Sequence, residues 1–202
     1  MTAEAEQALL AKARRGDMAA FEAIVLEYER PLYALALHRM GNAQDAADAV
    51  QETFLKAYLS LSSFRGEGRL RAWLCRIAQN ECTDLLRKRR DTVSLTREDE
   101  TGAETELADP RTDPAALLEQ KETASAIRAA LGRIPEEQRV PLLLREYGGL
   151  NYQEISAALS VEPNTVKTRI FRARQKLRAF LCEDGNFFAD DPSEQSKGGA
   201  RE

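Results

Sequence analysis

Histidine is nearly missing from this 202-residue chain: His38 stands alone, and Cys75, Cys82 and Cys182 form no CxxC pair. Those few residues supply no ligand set for zinc or haem, so no metal site is assigned. Cys75 and Cys82, two helical turns apart, read instead as small helix-packing residues. A glycine-rich nucleotide loop and a nucleophile–base pair are also lacking, which makes an enzyme the weakest reading and leaves no catalytic residue or cofactor to name. No apolar run approaches the roughly 20 residues of a membrane span, and the N-terminus has no signal-peptide pattern. A cytoplasmic protein without direct membrane insertion is the expectation. Alternating β-patterns of useful length do not occur either.

Negative charge is missing from one stretch of an otherwise acidic chain. The formal net charge is −4, yet residues 163–181, PNTVKTRIFRARQKLRAFL, hold six cations and no anion. A second basic island at 65–90 carries a net +5, and the segment 91–127 between them carries −7. Clustered positive charge, rather than overall basicity, is what neutralises phosphates and releases counterions. Two such islands point to two contacts with a polyanion; a single one would equally suit a solvated helix face.

What is present is helical periodicity. Phe21, Ile24, Val25 and Tyr28 fall at i, i+3, i+4 and i+7; Ala47, Val50, Phe54, Ala57 and Leu61 repeat by threes and fours; Leu70, Trp73, Leu74, Ile77 and Ala78 mark the inner stripe of a later helix. Gly16-Asp17 and Gly41-Asn42 supply a stop followed by a start. The pattern predicts an all-α protein whose first small helical domain covers about 1–90. Residues 91–123 are acidic and polar, with Gly102, Pro110 and Pro114, and read as a flexible linker that lets two domains sit apart on an extended target; Pro114 through Lys121 can already begin the next helix. A second domain is expected over 124–182, followed by a polar, disordered tail at 183–202 in which Phe187 and Phe188 stand out.

The second domain opens with Ile127, Leu131 and Ile134 on one stripe. Pro135 with Glu136 and Glu137 then makes a favourable helix start, and Gly148-Gly149 a stop. Asn151 and Glu154 fit a capping box for a short helix from Tyr152 to Leu159. Ser160-Val161-Glu162 is a turn, and Pro163 opens the basic helix: a helix-turn-helix. Within that last helix Val166, Ile170, Ala173, Leu177 and Leu181 form the packed face, which turns Asn164, Lys167, Thr168, Phe171, Arg172 and Gln175 outward. Lys and Arg there suit guanine acceptors, while Phe171 suits either a thymine methyl or the domain edge. Arg169, Arg174, Lys176 and Arg178 suit phosphates or solvent.

These motifs, in this order, resemble the extracytoplasmic-function group of bacterial RNA polymerase sigma factors. GDMAAFEAIVLEYERPLYALA, DAADAVQETFLKAYLSLSSFRG and RAWLCRIAQNECTDLLRKRR look like region 2, and LGRIPEEQRVPLLLREYGGLNYQEISAALSVEPNTVKTRIFRARQKLR looks like region 4. The chain departs from the family's P-x-G-T-V turn by carrying Asn164, and its tail has no counterpart in the two-region layout. The resemblance implies a non-catalytic specificity subunit that binds core polymerase, recognises two promoter elements and nucleates melting. It implies that Asp45, Asp48, Gln51, Glu52 and Phe54 serve docking on the β′ clamp helices, with Phe54 shared with the core, and that region 4 meets the β flap. Three carboxylates close together suit an Arg-rich surface and would repel DNA.

For the minus-ten element the resemblance implies a base-capturing loop at Phe64–Arg71, with Gly66 and Gly68 allowing close backbone approach and Arg65, Arg69 and Arg71 holding the strand. Arg76, Asn80, Asp84 and Arg87 share a helical face, on which Asn80 is the base-contacting candidate; Arg87, Lys88, Arg89 and Arg90 would grip phosphates. Trp73 reads as core. For the minus-thirty-five element the implied residues are Asn164, Thr165, Lys167, Thr168, Arg169, Phe171, Arg172 and Arg174. A cognate anti-sigma factor, often membrane-anchored in this family, is the further expected partner. Two other readings stay open at this level: a dimeric helix-turn-helix regulator that binds duplex DNA alone, and an adaptor or anti-sigma-like protein that binds polymerase without reading DNA.

Overall fold

The computed structural model describes residues 2–64, 70–93 and 114–184, the side chains of 90–93, 114–121 and 184 excepted. Eight α-helices account for most of them: α1 Ala3–Ala13, α2 Met18–Met40, α3 Ala43–Ser60, α4 Leu70–Val93, α5 Pro114–Gly132, α6 Glu136–Glu146, α7 Tyr152–Leu159 and α8 Pro163–Asp184. A 3-10 turn at Leu61–Ser63 follows α3, and no strand occurs among the described residues. Helix α4 runs three residues past the expected end of the first domain, and α5 begins at Pro114, inside the segment read as linker. Proline at the first helical position, where its missing N–H costs nothing, explains that early start.

Local chemistry sets the helix ends. Gly41 closes α2 in the left-handed conformation (φ 73°), its N–H donating to Leu37 O at 2.8 Å, and Asn42 then caps α3 by accepting from Asp45 N at 3.0 Å. Asn151 Oδ1 accepts from Glu154 N at 2.9 Å, while the Glu154 carboxylate accepts from Asn151 N at 2.8 Å. An eight-residue helix such as α7 is not stable alone. Asn151→Ala is therefore expected to lower stability by about 1 kcal/mol, seen as a lower urea midpoint at unchanged slope; an unmoved midpoint would show that packing alone holds α7.

Phe21, Ile24, Tyr28 and Leu35 of α2 pack with Val50, Phe54 and Ala57 of α3 and Leu70, Leu74 and Cys82 of α4. Ala47, which the spacing put on the inner stripe, is exposed; Ala46 and Ala49 are buried instead, one turn before the buried Val50 and Thr53, so the inner stripe is turned towards the side of the helix that carries Thr53. Trp73 is half-buried and stacks on Phe64, ring centroids 4.7 Å apart. In the C-terminal half Ile134, Leu143, Leu144, Leu150, Ile155, Val166 and Ile170 form the corresponding core.

The two halves are in contact. Helix α2 meets α6 and α4 meets α7, and the buried side chains form one continuous cluster. Tight approach at Gly148 and Gly149 makes this possible. A Cβ on Gly148 would lie 2.6 Å from Leu144 O and 3.3 Å from Cys75 Sγ; one on Gly149 (φ +64°) would lie 2.8 Å from Arg71 Nη1. Beside them His38 packs on Tyr147, with ring centroids 4.3 Å apart.

Burial, reinforced by Arg128, pushes His38 down from 6.5 to about 4, and its Nδ1 has no hydrogen-bond partner among the described residues. Between those values the unfolded chain binds a proton that the folded chain refuses. The His38 contribution is thus intact above the unfolded value and lost as pH falls through the folded one. The urea midpoint is expected to drop between about pH 7 and about pH 4.5, and less so in His38→Phe, which keeps a ring against Tyr147 but takes no proton. Equal drops would assign the acid sensitivity to other groups.

Candidate functional site

Three exposed faces carry the residues singled out above. On α3, Asp48 and Gln51 are exposed and Glu52 is half-exposed, whereas Phe54 is buried beneath them and offers no surface. Asp45 is half-buried and accepts from Arg89 Nη1 at 2.9 Å. The same face continues as Leu55 and Leu59, which follow Glu52 at helical spacing and are 52% and 71% exposed. Such a mixed stripe of carboxylates and bare leucines suits a protein surface better than a nucleic acid. Leu55 and Leu59 were not among the residues expected from the sequence, because the motif that carries the resemblance is a charged one; their spacing from Asp48 and Glu52 was the available signal.

A groove separates α3 from α4, with Asp48, Glu52, Asp84 and Lys88 on its walls. Lys56 crosses it, donating to both oxygens of the almost buried Glu81 at 2.7 and 2.6 Å, a contact that raises the lysine pKa. With the Asp45–Arg89 pair, this fixes the α3 face relative to the next one.

That next face belongs to α4. Arg76, Asn80 and Arg87 are exposed along it with Thr83 between them, Lys88 and Arg89 are exposed beside it, and Arg87 lies 3.7 Å from Asp84. Arg71 is half-buried: its guanidinium stands 5.5 Å from the Tyr28 ring centroid and is overlain by Gly149. Arg65, Gly66, Gly68, Arg69 and the side chain of Arg90 lie outside the described residues. Cys75 and Cys82 are buried and take no part in the three faces. Burial raises Cys75 to about 12 and Cys82 to about 11, so both stay protonated at neutral pH.

The third face is the outer side of α8. Ser160 adopts a left-handed conformation (φ 54°) and Ser156 Oγ donates to Val161 O at 2.6 Å, which closes the turn between α7 and α8. Asn164 needs no such conformation; it lies in the first turn of α8, where its carbonyl accepts from Thr168 Oγ1 at 3.0 Å. Asn164, Thr165, Lys167, Thr168, Phe171 and Arg172 are all exposed, with Lys167 Nζ 5.8 Å from the Tyr152 ring centroid and Phe171 61% exposed. Phe171 therefore does not cover the domain edge. Arg169 and Arg174 turn towards α6, at 3.9 Å from Glu137 and 2.6 Å from Glu146. The face thus splits into outward groups able to reach base edges and flanking cations tied back to the scaffold.

Two family models match the chain. Residues 24–92 match the family Sigma-70 region 2, and residues 124–177 match Sigma-70, region 4. RNA polymerase sigma-H factor of Pseudomonas aeruginosa is 36% identical over 88% of this chain and 94% of its own length, and the ECF RNA polymerase sigma-E factor of Escherichia coli is 33% identical over 85% and 92%. Among solved structures, CnrH in complex with the cytosolic domain of CnrY superposes with a TM-score of 0.66 at 30% identity, covering 90% of this chain and 99% of that one. The sigma factor RpoE of Bartonella quintana, in complex with the anti-sigma factor NepR, gives 0.65 at 26% identity over 82% and 98%. No helix among the described residues is long and apolar enough to cross a membrane.

Proposed function

We propose, from the premise that this chain belongs to the extracytoplasmic-function sigma factors, that it joins core RNA polymerase through α3, reads the minus-ten element with the α4 face and the minus-thirty-five element with the outer face of α8, and nucleates promoter melting. As a member of that family it is an alternative sigma factor for transcription initiation, a regulatory specificity subunit of the polymerase. The observation that carries the finer reading is the division of labour among the three faces: carboxylates and leucines on α3, an amide among cations on α4, cations and a bare phenylalanine on α8. Protein and nucleic acid would thereby meet separate faces of one support, because α3 and α4 share a buried core and are joined by two ion pairs.

Asp48, Gln51, Glu52, Leu55 and Leu59 would meet the β′ clamp helices, with Phe54 holding the helix from below; region 4 would contact the β flap. Asn80 would take an unstacked base, with Arg76, Arg87 and Lys88 on the backbone. Flipping a base out of the stack costs a few kcal/mol, which phosphate contacts and the captured base must offset. A cognate anti-sigma factor, soluble or membrane-anchored, is proposed by analogy with the CnrY and NepR complexes. Run-off transcription with reconstituted polymerase, followed by start-site mapping, tests the whole reading. Start sites sharing two spaced elements are the expected result. Tight, specific, polymerase-independent binding to a palindrome would overturn it in favour of a dimeric regulator.

A further inference from the structure

Arg39, near the C-terminal end of α2, is an unusual residue to find in a core: its side chain is 1% exposed. Nη2 donates to Thr83 Oγ1 of α4 and to Glu136 Oε1 of α6, each at 2.8 Å. Nε and Nη1 are buried without a hydrogen-bond partner among the described residues. A guanidinium has five N–H donors in a planar fork, so three of the five have no protein partner among the described residues. Leaving charged donors unsatisfied is costly, and a well-evolved structural arginine would have them paired.

The position of the fork suggests what else it could hold. Thr83 lies one helical turn from Asn80 and one from Arg87, on the exposed face of α4. Glu136, in the first turn of α6, covers the fork from the other half of the molecule and is itself half-exposed. The remaining ionisable neighbours are Cys82 and Arg139, neither of them a competing anion at neutral pH. Glu136 and Thr83 are thus the two partners that hold the fork, and Thr83 belongs to the face of α4 on which Asn80 and Arg87 stand.

We propose that Arg39 is a ligand for a backbone phosphate of promoter DNA beside Asn80, and that the Glu136 carboxylate occupies its place in the free chain. The inference rests on the α4 face being the minus-ten reader. A phosphate offers more acceptor oxygens than one carboxylate contact and can engage the fork through two parallel N–H···O bonds. Movement of α6 away from α2 exchanges the intramolecular anion for the external one, and the same movement lifts Gly149 off Arg71. The contact between the halves is thus both a brake on DNA binding by the free chain and a site completed by promoter engagement.

The test uses a fluorescein-labelled single strand spanning the minus-ten element of a promoter found by start-site mapping, titrated with full-length chain and with holoenzyme at several salt concentrations. Glu136→Gln in the free chain is expected to tighten binding about 5-fold, an effect of the size typical of weak allosteric couplings. Glu122→Gln, the same charge change at an exposed site on α5, should tighten it far less. In holoenzyme, Arg39→Gln should lower the slope of log K against log salt by about 0.7, the value of one phosphate on a single strand. Asn80→Ala should weaken binding to the element with its slope retained. An unchanged affinity for Glu136→Gln, or an effect equal to that of Glu122→Gln, overturns the proposal, and this arm decides alone if Arg39→Gln does not fold. If Asn80→Ala weakens binding while Arg39→Gln leaves the slope intact, the minus-ten reading stands and the role of Arg39 falls. If Asn80→Ala has no effect, the minus-ten reading fails first, and the proposal with it.

Discussion

Replacing Asp48 and Glu52 together by lysine is expected to remove most binding to core polymerase, raising the dissociation constant by roughly 30-fold to more than a thousandfold, or about 2–5 kcal/mol. Both side chains lie on the open face of α3. Their removal takes little from the free chain, because Lys56 is held by Glu81 at 2.6 Å and stands 3.9 Å from Glu52. A lysine at 52 adds a like-charge pair one turn from Lys56, worth a few tenths of a kcal/mol in an isolated helix. Thermal melting should therefore barely move while competition for fluorescent core polymerase collapses. Leu55→Asp makes a complementary case: a change at a half-exposed surface site is usually within about 0.5 kcal/mol of neutral for the fold, yet it places a charge where a partner would bury a leucine. Wild-type affinity in the double variant would sink the docking role of α3, and wild-type affinity in Leu55→Asp alone would confine docking to the carboxylates.

Much of this layout is legible from spacing. The capping box at Asn151, the stops at Gly41 and Gly149 and the packed face of α8 all rest on chemistry within a few residues, where local rules dominate. The outward positions of Asn80, Lys167 and Arg172 follow from the same periodicity. Less legible is what depends on packing between distant segments. Arg39 follows Leu35 by one turn on the buried stripe of α2, and its sequence neighbours give no sign that Thr83 and Glu136 close over it. The contact between the halves had the same difficulty, since an acidic segment with prolines says nothing of how the surfaces on either side meet in the free chain. Its signal was present only in retrospect: two consecutive glycines at 148 and 149 mark a place where another chain segment comes close, and those segments prove to be Cys75 and Arg71.

Lys167→Ala with Arg172→Ala is expected to cost about 1–3 kcal/mol for each base-edge interaction removed, and hence to abolish dependence on the upstream element while leaving binding to core polymerase intact. The two side chains are exposed on the outer face of α8, clear of the stripe of Val166, Ile170 and Ala173 that holds the helix to its domain, so truncating them should not disturb the fold. The contrast with Arg174 gives the experiment its meaning. Arg174 donates to Glu146 at 2.6 Å, and any phosphate it reaches must compete with that carboxylate. Arg174→Ala should thus weaken binding more modestly and equally on all upstream sequences, whereas the double variant should erase the difference between a matched and a scrambled element. Phe171→Ala separates the remaining possibility: if the exposed ring meets a thymine methyl, its truncation should relax preference at a single base step and leave the salt slope unchanged, because no ion is released. Scrambled and matched elements still distinguished by the Lys167→Ala/Arg172→Ala protein would mean that specificity resides elsewhere on α8, or in the shape of the duplex rather than its edges.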